Sequence, residues 1–168
     1  MATRSLALAA LLCLSCSQRP PVEQPLYGDA LDSLDGVLSR SGTSLDAGVS
    51  RDGKGSLRVD ATAPTTIRIA EVQPQQAEDA VLIYRASLRS QDLEGQAYLE
   101  MWCSIPGMGE FFSRALQAPI QGTTGWMSQE TPFFLKAGQV ARTVKLNLVV
   151  QGKGTVWIDD LSLAIARN

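Results

Sequence analysis

The stretch Gln96–Ser104 carries the residues best suited to recognition chemistry. Tyr98, Glu100 and Trp102 alternate with Ala97, Leu99, Met101 and Cys103. In an extended strand that spacing sends the two sets to opposite faces. Leu99, Met101 and Cys103 then point to a core, and two aromatic rings and a carboxylate face solvent. The same alternation gives Thr143–Val150 an outer face with Lys145, Asn147 and Val149, and gives Ala80–Leu88 an outer face with Arg85. Rings that stack on an apolar surface beside Glu, Asn and Arg that bond hydroxyls are what a sugar requires. Tyr98, Glu100, Trp102, Arg85 and Asn147 are therefore the candidate ligand-binding residues. The competing reading is that the aromatics serve the sheet alone, since Trp and Tyr favour strands and pair across them.

Other chemistries are excluded or unsupported. The 168 residues include no histidine, which removes Ser-His-Asp and Cys-His catalysis and any His-ligated zinc or iron. Glu100, Glu110, Glu130, Asp159 and Asp160 have no spacing that selects an acid pair for glycoside cleavage. No phosphate-binding loop, dinucleotide fingerprint or CxxC is present. The expectation is a non-enzyme. Lys and Arg number 15 against 17 Asp and Glu, a net charge of −2, which offers nucleic acid no basic footprint.

The elements that must hold these residues read as strands. Period-two alternation recurs in Ser56–Asp60, Thr65–Val72, Ala80–Leu88, Gln96–Ser104, Thr143–Val150 and Thr155–Leu163. Gly- and Pro-bearing segments separate them: Asp52–Gly55, Gln91–Gly95, Pro106-Gly107, Gly122–Gly125, Ala137-Gly138 and Gly152–Gly154. The last predicts a hairpin between two strong strands. Tyr27–Leu38 is ambiguous, with room for an amphipathic turn or two. A length near one domain, 45% hydrophobic residues and many short strands argue for an all-β, antiparallel β-sandwich.

Residues 1–16 read as an export signal: Arg4, then an apolar run from Leu6 to Leu14, too short to span a bilayer. Leu12-Cys13-Leu14-Ser15-Cys16 resembles the lipobox of bacterial lipoprotein signal peptides, although Cys13 departs from its usual residue. The resemblance implies lipidation of Cys16 and a place in the cell envelope, the outer membrane by the lack of Asp at Ser17. The alternative is ordinary cleavage without lipid. Ser17–Leu26 (SQRPPVEQPL) reads as a Pro-rich spacer, leaving a folded domain at 27–168. Cys103 is then the one free thiol, read as a buried small hydrophobe.

Three segments share a further likeness. Ser50–Val59 (SRDGKGSLRV), Gly125-Trp126 through Phe134, and Gly152–Leu163 (GKGTVWIDDLSL) resemble the opening, middle and closing strands of galactose-binding-like jelly rolls, a fold of many carbohydrate-binding modules. The likeness covers roughly 45–168 and implies a jelly roll without naming a ligand. In such modules the first Asp of the closing pair often ligates a structural Ca2+. Asp159 matches that position; the alternative is a carboxylate bonded by backbone N–H groups or an Arg. The chain is thus expected to be a non-catalytic, lipid-anchored envelope module that binds glycan. The alternative is a structural or protein-interaction lipoprotein whose partner is an envelope protein met by the Phe111/Phe112 loop.

Overall fold

A computed structural model describes residues 22–167. The strands are β1 (Val22–Asp29), β2 (Thr43–Asp46), β3 (Ser56–Ala61), β4 (Thr65–Val72), β5 (Ala80–Ile105), β6 (Gly109–Arg114), β7 (Ile120–Leu135) and β8 (Thr143–Arg167). All pairings are antiparallel. No helix occurs among the described residues, so Tyr27–Leu38 is the end of β1 followed by irregular chain with Leu31 and Val37 buried. The expected all-β sandwich is the observed architecture. The expected export signal and lipidation at Cys16 fall outside the described residues.

Two strands organise everything else. β5 and β8, 26 and 25 residues long, pair along nearly their full length. The second part of β5 and the first part of β8 are flanked by β6 and β4, giving the order β4-β8-β5-β6. The first part of β5 and the last part of β8 are flanked by β7, β1 and β3, and β2 extends the sheet beyond β3. The inward side chains of both halves, among them Leu82, Tyr84, Leu99, Met101, Leu146, Leu148 and Leu163, form one core. Each such fully buried large side chain contributes about 1.5–3 kcal/mol. Cys103 lies in this core, and burial pushes its thiol up to about 12.

The segment Gly152-Lys153-Gly154 is not the predicted hairpin. β8 runs through it, with Lys153 and Gly152 paired to Glu94 and Gly95 of β5. A Cβ on Gly152 would stand 1.6 Å from the Glu94 carbonyl oxygen, and one on Gly95 would stand 2.0 Å from that of Gln151. The glycines permit a close passage of two backbones, not a reversal. The register shift between Gln91 and Glu94 switches which residues face inward. Leu82, Tyr84, Ala86 and Leu88 face the core before it, and Ala97, Leu99, Met101 and Cys103 after it.

A second difference concerns the start of the domain. Val22–Leu26, read as spacer, belong to β1, where Val22 pairs with Arg167 and Pro25 with Ala164. Two prolines at 20 and 21 mark the spacer, but Val22, Glu23, Gln24 and Pro25 find ladder partners on β8, with Leu26 at a register shift, and tertiary pairing outweighs the weak local pattern.

Candidate functional site

The outer face of β4-β8-β5-β6 carries the candidate residues in cross-strand rows. Directly paired residues project to the same side. One row runs Arg114–Glu100–Asn147–Arg68 across all four strands. Beside it runs Phe112–Trp102–Lys145–Glu71, and on the other side Tyr98–Val149–Thr66. Tyr98, Glu100, Trp102 and Asn147 are therefore brought together as the alternation predicted.

Glu100 is the hub. It is 5% exposed. Its Oε1 accepts the Trp102 indole N–H at 2.7 Å and the Asn147 amide N–H at 3.2 Å. Its Oε2 accepts Arg114 Nε–H at 2.6 Å. A buried carboxylate persists only when paired and bonded in this way. The bond fixes the Trp102 ring in one orientation. The Arg114 guanidinium also lies 4.3 Å from the centre of the Phe112 ring, and that ring is 5.0 Å from Trp102 at 45°. Lys145 Nζ donates to Glu110 Oε1 at 2.5 Å, so the charges nearest Trp102 occur as opposed pairs.

A groove of about 440 Å3 opens on this face, lined by Trp102, Arg114, Gln151, Thr65 and Thr66 with Tyr98 and Glu100 in its wall. Trp102 is half-buried. Tyr98 departs from expectation: it points away from the core but is 1% exposed. Gln151 donates to its hydroxyl at 3.0 Å, and Val149 and Thr66 stand in its own row. Its ring supports the groove and offers no open stacking face. Asn147 has its Nδ2 committed to Glu100, which turns Oδ1 the other way; Oδ1 and the neighbouring Arg68 Nε are buried without partners.

Arg85 does not join the group. The parity switch places it on the outer face of the other half, where Glu23 and Glu130 hold it at 2.6 and 2.8 Å. It lines a separate cleft of about 560 Å3 with Arg51, Ser87 and Asp160. Arg114, Gln151 and Thr66 were not anticipated, and Phe112, read as part of a protein-contact loop, stands beside Trp102. The segment 105–116, read as a loop, contains β6, which returns from a turn at Pro106-Gly107. The alternation Glu110-Phe112-Arg114 was the available signal.

Asp159 is fully buried, and burial raises its pKa above the ordinary carboxylate value. Oδ2 accepts the Arg51 N–H at 2.7 Å and Oδ1 the Asp160 N–H at 2.8 Å. Asp160 has φ of 50°, a bulge that breaks the β8 alternation. Among the described residues no three His, Cys, Asp or Glu side chains gather as a metal set. Both oxygens accept backbone amide hydrogens, the bonding given above as the alternative to a metal ligand.

No protein-family profile matches the sequence, and no curated protein matches it. The solved structures give the decisive likeness. The CBM22-1 xylan-binding domain from Paenibacillus barcinonensis Xyn10C superposes with a TM-score of 0.61 at 13% identity, covering 89% of this chain and 99% of that one. The fold is that of carbohydrate-binding modules. The C-terminal family 22 module of Clostridium thermocellum Xyn10B gives 0.57 at 11% identity, covering 84% and 94%. The family 6 module from Cellvibrio mixtus lichenase 5A, solved with cellotriose, gives 0.50 at 13%, covering 86% and 99%. At these identities the likeness is one of architecture, and the groove must be argued from its own residues.

Proposed function

We propose that the protein is a non-catalytic carbohydrate-binding module, held at the cell envelope by lipid on Cys16. The observation that carries the binding reading is Trp102: a half-buried indole, fixed by a buried carboxylate, along a groove rimmed by Arg114, Gln151, Thr65 and Thr66. A sugar ring stacks on the indole, and the rim supplies donors and acceptors for its hydroxyls. The opposed charge pairs leave little net charge beside the indole, which suits a neutral polysaccharide. Phe112, exposed and 5.0 Å from Trp102, extends the apolar surface along β6. The xylan and cellotriose bound by structural neighbours support a chain of such sugars as ligand. Export and lipidation rest on the sequence from Arg4 to Cys16.

The test is affinity electrophoresis through gels containing xylan, β-glucan or galactan. The protein should be retarded by at least one, and Trp102→Ala should run as in an empty gel. The exposed Phe111, Phe112 and Met108 favour a second reading, a protein contact at β6. That reading gains if no glycan retards the protein and an envelope partner is lost on Phe111→Ala.

A further inference from the structure

We propose that the outer face opposite the glycan groove, formed by β7, the first part of β5, the last part of β8 and β1, lies against the lipid surface that anchors Cys16. The inference rests on the anchored reading given above.

Two adjacent cross-strand rows on this face are apolar. One runs Phe134–Val81–Ala166 and ends at Glu23 of β1; the next runs Pro132–Ile83–Ala164–Pro25. Phe134 is 68% exposed. Nothing in the fold requires a phenylalanine ring to be so open. The third row is charged: Arg85 is tied to Glu130 within it and reaches to Glu23 at the end of the first row, so this ion pair spans the β1 side of the patch and the open apolar ground lies on the β7 side, at Phe134, Val81, Pro132 and Ile83. An exposed apolar patch with charge at its edge is the pattern of a surface that meets a partner.

The chain itself says which partner. β1 begins at Val22, six residues after Cys16. Six residues reach at most about 20 Å when fully extended. The chain enters at the end of the face where Phe134 and Val81 stand, because Val22 pairs with Arg167 beside the Glu23–Ala166–Val81–Phe134 row. A bilayer holding the lipid of Cys16 is therefore within reach of that edge. Phe134 and the prolines meet the interface as apolar side chains do. The Trp102 groove, on the outward side of the other half, then points away from the membrane towards a polymer.

The experiment uses the full-length lipoprotein in phosphatidylethanolamine–phosphatidylglycerol vesicles. Phe134→Cys and Glu71→Cys each carry an environment-sensitive fluorophore; Cys103 is fully buried and escapes labelling. Emission at 134 should shift to the blue and fall about twofold with brominated lipid, while emission at 71 stays unchanged. Equal response at both positions overturns the proposal, as does a blue shift at 134 that brominated lipid leaves unquenched and that grows with protein concentration, which would assign the face to a second copy. Intact mass separates the two readings. If Cys16 carries no lipid, the anchoring reading fails and this one with it; if it carries lipid and 134 does not respond, this inference alone fails.

Discussion

Two tryptophans sit on outer faces of the same pair of strands and have opposite fates. Each donates its indole N–H to a carboxylate, Trp102 to Glu100 at 2.7 Å and Trp157 to Asp46 at 2.9 Å. Trp157 pairs across the ladder with Arg58 on one side and Arg89 on the other. Both guanidinium groups lie over its ring, at 5.5 and 5.6 Å, and it is 3% exposed. Trp102 has Phe112 and Lys145 as its neighbours instead. Phe112 tilts against it, and Lys145 is drawn to Glu110, so the ring keeps an edge on the groove. Residue type and strand position are alike; the cross-strand partners decide which indole is roofed and which is left open on a groove.

That contrast is sharpened most by removing the roofed ring. Trp157→Ala should lower stability by about 3–5 kcal/mol in urea unfolding, the cost of deleting a buried aromatic, with glycan binding by the folded fraction intact. The carboxylates come next. Glu100→Ala strands the Trp102 N–H, the Asn147 amide and Arg114, and should cost about 2–3 kcal/mol. Asp46→Ala, whose side chain is 18% exposed, should cost about 1 kcal/mol. Equal losses would break the claim that Glu100 is the buried hub.

Acid titration gives the smallest effect. The Trp157 N–H, ahead of the Gly48 and Val49 amides, holds Asp46 below its ordinary pKa, against a smaller opposing effect of desolvation. A depressed carboxylate stabilises the fold above its unfolded value, about 3.9, and that stability is lost as pH falls through the lowered folded value. Asp46→Asn should flatten this acid limb. Asp159, raised by burial, has the opposite sign: its ionisation weakens the fold as pH rises from the ordinary value through the raised one. Asp159→Asn should therefore leave a steeper net acid limb than Asp46→Asn does.

The strands and the grouping of Tyr98, Glu100, Trp102 and Asn147 were legible because a half-buried sheet writes its faces as period two. What alternation does not encode is where the parity switches. Gly95, Gly152 and Gly154 looked like turn residues, although a glycine that admits a close backbone is written the same way as one that reverses a chain. That ambiguity hid that Arg85, outward as expected, belongs to the other half of the molecule and not to the site. Burial by neighbours is equally silent: Tyr98 and Trp102 are two residues apart on one face, yet Val149, Thr66 and Gln151 enclose the first, and the second stays open. Arg114 was hidden because β6 follows so short a turn that its alternation blended into a loop.

The central claim is that Trp102 is the ring a sugar meets. Intrinsic tryptophan fluorescence, titrated with an oligosaccharide of whichever polysaccharide retards the protein, tests it most directly. A saturable change in the wild type that vanishes in Trp102→Ala, and survives in Trp126→Phe, is the predicted result. A change that persists undiminished in Trp102→Ala would place the ligand elsewhere and contradict the account.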